Sequence, residues 1–347
     1  MYRDYENNTP GNAHSTTLGV QLGYESPEMA GLSFGAVYSY VEPLDSSRYS
    51  NNGKTLLSNG RVNLLNEVWL KYRLESLGLT NTFIKVGRQV VNGEVFRADE
   101  FRQKQRAFEA AILVTKDIPD TTLMIGHAER ISNVWDNEDS WKFQDLGDGV
   151  TWVEAVYTGI TNLEVAVFDA YAYDWVNLAG GRVKYTLSDT TALHGYYRHE
   201  NDVGRGANHS SDMVGASVRQ KIGGVTLEPG FLSVGGDTLA FSELGTGINH
   251  PLGSSMMIYS GQFEGGAKTA YLKAGAKIDK TVLYALYNCT WNDKTPYNGQ
   301  ELNVVVKQPI GDRLTVALKV GAGYRDSRTG RADTFASDAR LFVTYNF

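Results

Sequence analysis

The chain has 347 residues, a formal net charge of −6 and 42% hydrophobic residues. Its mean hydropathy is −0.31, and no stretch approaches the roughly 18 consecutive apolar residues that a membrane-spanning helix needs. The hydropathy excludes a helical membrane protein, and the negative charge gives no general case for nucleic-acid binding. The length suits two ordinary domains or one large β-barrel. Glycine (37) and tyrosine (20) are abundant and proline (8) is scarce, which suits tight turns and aromatic girdles.

The only cysteine, Cys289, excludes an intramolecular disulfide and any metal site built from several cysteines. We expect it to be a packed core residue and not a nucleophile. No basic-then-apolar leader precedes Tyr2, so a secretory signal, if there was one, is expected to have been removed. Residues 1–5 are predicted to be the end of a strand rather than its beginning. No metal motif of the His-x-x-x-His or calcium-loop type occurs, and no cofactor is expected.

Alternation of apolar and polar residues with a period of two predicts β-strands along most of the chain. In the first of these strands, Leu18, Val20 and Leu22 fall on one face. The predicted strands pair across short turns: 15–24 with 32–41, 62–74 with 80–89, 107–115 with 121–131, 150–158 with 162–170, 181–187 with 190–199, 211–221 with 225–234, 267–277 with 281–291, and 301–308 with 313–324.

The last predicted strand, residues 338–347, has the same pattern. Leu341, Val343, Tyr345 and Phe347 share one face, and the opposite face is mostly polar. A transmembrane barrel needs such a closing strand because an open sheet edge cannot exist in hydrocarbon. Taken alone, this segment fits the last strand of a soluble β-sandwich equally well. The pattern of the other strands decides between a sandwich and a barrel.

The predicted connections alternate between short turns and long loops, the longest being 235–266. Tight periplasmic turns and longer extracellular loops are typical of outer-membrane barrels, whereas a soluble β-protein does not sort its connections by length. Counting a strand at residues 2–5 gives about 18 strands, with a range of roughly 16–18, provided that residues 256–263 stay in a loop. We therefore predict an all-β fold, a single transmembrane antiparallel β-barrel domain over residues 1–347.

In layout, nearly the whole chain resembles the OprD-like substrate-specific porins of Gram-negative outer membranes. The resemblance is carried by Arg3-Asp4-Tyr5, the hairpin over residues 18–40, residues 83–88 (Phe-Ile-Lys-Val-Gly-Arg) before the third long loop, and the closing run 340–347. Members of that family are eighteen-stranded channels for small, mostly carboxylate-bearing nutrients, with an arginine and lysine track along the wall. The resemblance implies passive transport in the outer membrane. This chain is shorter than the family pattern and lacks its Leu-Leu-Pro-type run in the third loop, which leaves the solute open.

The two faces of each strand can be assigned from the cost of charge that faces lipid, roughly 2–4 kcal/mol at mid-membrane. If the side with Leu, Val, Ile and Tyr meets lipid, the opposite side lines the lumen. The cations on the predicted lumen side are Lys71, Arg73, Lys85, Arg130, Arg182, Lys184, Arg198, Arg219, Lys221, Lys273, Lys307, Lys319 and Arg340. The acids on that side are fewer: Glu67, Glu109, Glu154, Glu164 and Glu228. An acidic chain thus has a predicted basic wall.

A basic wall between low-dielectric sides concentrates anions, and rings of Arg and Lys select them. Arginine suits carboxylates because its planar fork donates two parallel hydrogen bonds. Arg182, Lys184, Arg198 and Arg219 lie on three neighbouring predicted strands and are predicted to form a continuous track. The alternative is that these cations pair with lumen acids across neighbouring strands.

The third long loop, residues 90–106, is predicted to fold into the bore and to set its narrowest cross-section. In that position its cations would face its acids across an eyelet and attract a passing anion. The charged residues of this predicted constriction are Glu94, Arg97, Asp99, Arg102 and Lys104. The alternative is a solvated helical turn at the rim, since residues 97–108 also fit a helical period.

The predicted function is passive diffusion of small anionic, carboxylate-bearing solutes through an outer-membrane porin, which is not an enzyme. The expected partners are these solutes, outer-membrane lipid and the barrel-assembly machinery, which would engage the closing strand that ends at Phe347; no nucleic acid is expected, and both monomer and trimer stay open. A surface adhesin or receptor on the same barrel is the alternative. An outer-membrane hydrolase is a weaker one, because the histidines are scattered and no Gly-x-Ser-x-Gly elbow occurs.

Overall fold

The computed structural model describes residues 2–6, 13–14, 16–44, 62–98, 104–132, 142–206, 208–241, 261–295, 297–327 and 334–347. Strands occupy most of these residues and belong to one 19-stranded sheet. Two 3-10 helices, Glu75–Leu77 and Gly261–Phe263, are single turns in connections. Within the described ranges, no helix has the length and apolar character needed to cross a membrane.

The strands of the first half are β1 (Tyr2–Glu6), β2 (Ala13–His14), β3 (Thr17–Glu25), β4 (Leu32–Pro43), β5 (Val62–Arg73), β6 (Thr82–Gln89), β7 (Ala107–Thr115), β8 (Thr121–Ser132), β9 (Gln144–Ile160) and β10 (Leu163–Ala172). Those of the second half are β11 (Val176–Ser188), β12 (Thr191–Asp202), β13 (Ser210–Ile222), β14 (Val225–Gly236), β15 (Ala267–Ile278), β16 (Thr281–Asn292), β17 (Tyr297–Ile310), β18 (Leu314–Ser327) and β19 (Thr334–Tyr345). Each hairpin predicted from the alternation is present.

The strand pairing returns to its starting point. From β3 to β19, each strand pairs antiparallel with the next one in the chain. β19 then pairs with β1, and β1 pairs with β2, where Tyr2 lies opposite His14. Only two residues separate β2 from β3, so these two strands occupy one position and the 19 strands make 18 positions. The predicted all-β, antiparallel barrel fold is confirmed.

The outer surface of the wall is apolar. Leu70 is 51% exposed, Val167 54% and Val214 54%, although each lies in the middle of a strand. In water, such a continuous apolar surface would be far larger than the patches that soluble monomers expose. It suits a wall that meets lipid, because strands of transmembrane barrels alternate apolar residues outside with polar residues inside.

The turns at one end of the barrel are tight because they contain residues that readily adopt the left-handed backbone conformation. Asp120, Asn162 and Asp279 have φ angles of 55°, 65° and 51° in the turns after β7, β9 and β15. Asn and Asp occupy this region more readily than other residues with a side chain, since their short polar groups bond locally. The predicted periplasmic turns are therefore explained by their own residues.

Neighbouring turns are also tied to each other. Asp117, between β7 and β8, accepts hydrogen bonds from the backbone N–H of Asn81 at 3.0 Å and from the hydroxyl of Thr82 at 2.6 Å. These bonds favour the charged carboxylate, the one from Thr82 most, and lower the pKa of Asp117 below its ordinary value.

The connections at the opposite end depart from the strict alternation of lengths that we predicted. β10 and β11 are joined by residues 173–175, and β16 and β17 by residues 293–296, both much shorter than expected. The difference arises because the strands run beyond the predicted membrane band, where Val176 and Leu178 are buried inside the barrel instead of facing lipid. Of residues 256–263, predicted to stay in a loop, 261–263 form a 3-10 helix and 256–260 lie outside the described residues.

Candidate functional site

The inner face of the wall follows from the alternation along each strand. On β5 the exposed Leu70 and Tyr72 point outward, so Lys71 points inward, and the register fixes the inward residues of the neighbouring strands. The predicted wall cations that face inward by this assignment are Lys71, Arg73, Lys85, Arg182, Lys184, Arg198, Arg219, Lys221, Lys273, Lys307, Lys319 and Arg340. Arg73 lies beside the turns, where it pairs with Glu75 at 3.1 Å.

The predicted inward direction of Arg130 is wrong. The register between β7 and β8 shifts between Glu109 and Ala110, because β8 has an extra residue at this point. A bulge of this kind moves the following side chain to the other face of the sheet. Arg130 lies on the outer face, 3.2 Å from Glu109 and 2.9 Å from Asp145. Glu109 also faces outward, because β7 turns the face with Phe108 toward the lumen.

Arg182 is held between the third loop and the wall. Its guanidinium donates to the Glu94 carboxylate at 2.7 Å and to the Glu164 carboxylate at 2.7 Å. The guanidinium of Arg97 lies 3.8 Å from an oxygen of the same Glu94 carboxylate. Two acids on two sides therefore neutralise the side chain that we predicted to stand in an open cation track.

The other inward arginines are also paired with acids on the inner wall. Each pair lies on one strand or on two adjacent strands, and both partners are largely buried except Arg219. The pairs are Arg198 with Glu200, Arg219 with Glu228 at 2.9 Å, and Arg340 with Asp338 at 2.7 Å. These arginines therefore follow the alternative to an open cation track, in which the cations pair with acids of the lumen wall.

The inward lysines have different surroundings. Among the residues that the structure describes, Lys71, Lys85, Lys184 and Lys273 make no ion pair. Four lysine ammonium groups lie over aromatic rings, at these distances from the ring centroids: Lys85 over Trp69 at 4.2 Å, Lys71 over Phe83 at 4.9 Å, Lys319 over Phe342 at 5.2 Å, and Lys273 over Tyr284 at 5.3 Å. A ring face attracts a cation but does not neutralise it as a carboxylate does.

The described part of the third loop packs against inward-facing side chains of the wall. Val95 and Phe96 are completely buried, and the Phe96 ring packs 4.6 Å from Phe108 and 4.8 Å from Trp152 of the inner wall. The carboxylate of Glu154, also on the inner wall, accepts the backbone N–H of Glu94 at 2.8 Å and that of Val95 at 3.1 Å. Next to this contact, residues 92–94 and 97 line a cavity of about 340 Å³.

The remaining predicted constriction residues do not all join this contact. Lys104 donates to the backbone carbonyls of Gln105 at 2.9 Å and Ser132 at 3.2 Å. Burial, and then the charge of Arg106, lower the pKa of Lys104 to about 7. Asp99 and Arg102 lie outside the described residues.

A second loop also reaches the inner wall, and the sequence did not assign its residues. Leu239 and Phe241 are buried, and the buried carboxylate of Glu200 accepts the backbone N–H of Ala240 at 2.7 Å and that of Phe241 at 3.4 Å. The only signal in the sequence was the length of the connection 235–266. Nothing in the alternation could identify Glu200 as the acceptor, since the contact spans separate parts of the chain.

Both loops pack on one side of the lumen. Their buried apolar residues join a single cluster with inward side chains of β7–β16, among them Phe108, Trp152, Phe168, Met213 and Leu232. The lysines over aromatic rings lie on β5, β6, β15 and β18, and two of their rings, Phe83 and Tyr284, pack against this cluster. The lysine–ring pairs therefore lie at and beyond the edges of the loop-covered part of the wall.

Several solved structures share this architecture, although no protein-family model and no curated protein sequence matches the chain. Pseudomonas aeruginosa OpdK, crystallised with vanillate, has a TM-score of 0.80 at 15% identity over 99% of this chain and 95% of its own. A BenF-like porin from Pseudomonas fluorescens Pf-5 has a TM-score of 0.80 at 16% identity, over 99% and 96%. Acinetobacter baumannii OccAB4 has a TM-score of 0.76 at 16% identity, over 99% and 94%.

At these identities the likeness concerns the fold, and it extends over nearly the whole length of both chains. One of these neighbours is a BenF-like porin, and OpdK is an outer membrane protein. The chain has the fold of the OprD- and Occ-type substrate-specific porins, the family that its sequence resembles.

Proposed function

We propose that the protein is an outer-membrane porin through which small anionic, carboxylate-bearing solutes diffuse passively. The observation that carries the proposal is the group of inward lysines, Lys71, Lys85, Lys184 and Lys273, which make no ion pair among the described residues. In a chain with a net charge of −6, these lysines place ammonium groups in the lumen that are not held by a salt bridge. Such a surface concentrates anions between low-dielectric walls.

The lysines suit a passing anion better than the arginines do. Arg182, Arg198 and Arg219 already bind carboxylates of the protein, so a solute would have to displace those partners. A lysine over a ring offers its ammonium without that competition. Binding at each lysine is weak, as conduction requires, because a solute that binds tightly blocks the pore.

The rings beside the lysines favour a carboxylate on an apolar or aromatic body. Trp69 and Lys85 lie on adjacent strands, as do Phe83 and Lys71, and Lys71 and Lys85 are directly opposite in the register. A solute of this kind can stack on a ring while its carboxylate meets an ammonium group. The vanillate in the OpdK structure is consistent with this class of solute.

The test is the reversal potential of single channels in a planar bilayer under a KCl gradient. The double variant Lys71→Glu with Lys85→Glu reverses the charge at two opposite inward positions of β5 and β6, and we expect it to lower the anion-to-cation permeability ratio at least about twofold. Lys116→Glu with Lys280→Glu is the matched control, because both lysines lie in exposed turns. An unchanged ratio in the lumen variant would contradict the proposal, and a barrel that does not conduct would favour an adhesin or receptor.

A further inference from the structure

Two buried glutamates of the inner wall make the same contact with two different loops. Glu154 of β9 accepts the N–H groups of the consecutive residues Glu94 and Val95, at 2.8 and 3.1 Å. Glu154 is 6% exposed, so its carboxylate meets these donors away from bulk water. The next residue, Phe96, is completely buried and packs against the inner wall.

The second contact repeats the first at another loop. Glu200 of β12 accepts the N–H groups of the consecutive residues Ala240 and Phe241, at 2.7 and 3.4 Å, and is completely buried. The ring of Phe241 stacks on Trp175 with a centroid separation of 6.1 Å. In both loops a pair of successive N–H groups meets one carboxylate, and an aromatic side chain at or just after the pair is buried.

Such a contact fixes the position of a loop more firmly than packing alone. A carboxylate that accepts two N–H groups makes charge-assisted hydrogen bonds, which are shorter and stronger than neutral ones. The donors are backbone groups, so the carboxylate orients the loop backbone itself and not a side chain. Without the carboxylate, one buried and one partly buried N–H group of each loop would lose their partner, which is costly.

The surroundings of Gly93 agree with this requirement. A methyl group added to Gly93 would lie 2.0 Å from a carboxylate oxygen of Glu154, so a side chain at this position would push that carboxylate out of its present place. A glycine at this point lets the following N–H groups reach the carboxylate.

We propose that Glu154 and Glu200 are positioning residues of the pore, each of which holds one inward-folded loop in place and so sets the width of the bore. The inference rests on the proposed channel function for its consequence, since the loops narrow a path only if solutes pass. The contacts themselves can be tested without conduction.

The first measurement is amide hydrogen exchange of the whole protein in detergent micelles. Glu154→Gln removes the charge from the oxygen Oε2, which accepts both N–H groups, so we expect exchange at Glu94 and Val95 to accelerate at least about tenfold. Glu200→Gln should have the same effect on Ala240 and Phe241. Each variant should leave the other loop unchanged, because the two contacts share no residue.

The matched control is Glu228→Gln. Glu228 is as buried as the other two glutamates and also faces the lumen, but its partners are the side chains of Arg219 and Ser217 and not a loop backbone. It should not change exchange in either loop. Equal acceleration in all three variants, or none in the first two, would overturn the inference.

Glu200 also pairs with Arg198 and His209, so its amide variant disturbs more than the loop. Glu200→Asp and Glu154→Asp keep the charge but carry it on a side chain shorter by one methylene group, and each should give a smaller acceleration at the same two amides. An aspartate variant that exchanges faster than the amide variant would contradict the assigned role.

The second measurement is single-channel conductance. Releasing either loop should increase the mean conductance and the noise of the open state, and Glu228→Gln should do neither. A wild-type protein without conductance would overturn the proposed channel but leave the exchange result valid. Conducting variants with unchanged conductance and noise would overturn the positioning role alone.

Discussion

On the inner wall, arginine and lysine side chains have different neighbours. Arg182 bridges Glu94 and Glu164, whereas Lys184, two residues away on the same face of β11, makes no ion pair among the described residues. A planar guanidinium can serve two carboxylates at once, and an ammonium on a flexible stem cannot hold them in a fixed geometry. The arginines are therefore engaged within the protein, and the lysines are the cations on which the proposed anion path depends.

This difference predicts a large and a small loss of stability for two variants of β11 in which the cation is replaced by an uncharged residue. Arg182→Gln should lower the free energy of unfolding by about 2 kcal/mol, because it leaves two partly buried carboxylates without their cation. Lys184→Gln should change it by less than about 0.5 kcal/mol, since no partner is lost. Urea unfolding in detergent measures both. Equal destabilisation by the two variants would contradict the assignment of these residues.

At the scale of elements, the turn contact of Asp117 has a consequence for the pH dependence of stability. The pKa of Asp117 is lower in the folded protein than in the unfolded chain, so its contribution is present above the ordinary aspartate pKa and is lost as the pH falls through the lowered value. Asp117→Asn should therefore be less stable than the wild type at pH 7, and the difference should vanish in strong acid. Unfolding curves at several pH values measure this. A difference that persists unchanged in acid would show that the hydrogen bonds do not depend on the charge.

The strands and turns could be predicted from the sequence because their causes are local. Apolar alternation identifies each hairpin, and Asp120 and Asn162 fit the left-handed turns by their own chemistry. The sequence could not predict that the Arg130 side chain faces outward. One extra residue in β8 reverses the inward–outward alternation, and no residue type in the sequence indicates it. The partners of Glu154 and Glu200 were equally out of reach, since contacts between a wall and a loop join residues about 40 to 60 positions apart.

In the whole molecule, three surfaces have different chemistry. The outer wall is apolar, two loops pack against part of the inner wall, and lysines without an ion pair among the described residues lie on the inner faces of β5, β6, β11 and β15. The acidic net charge of the chain therefore says little about the path of a solute, because the inner wall carries lysines that are not held by an ion pair among the described residues. This arrangement requires that water lies inside the wall and lipid outside it.

Cysteine labelling along β5 tests that claim most directly. In a Cys289→Ser background, which removes the only native cysteine, single cysteines replace Leu70, Lys71 and Tyr72 in turn, and outer-membrane vesicles are treated with a charged, water-soluble thiol reagent. We predict that Lys71→Cys reacts and that Leu70→Cys and Tyr72→Cys stay protected, because successive residues of a strand face opposite sides. Reaction at Leu70→Cys and Tyr72→Cys with protection at Lys71→Cys, or equal reaction at all three, would contradict the account.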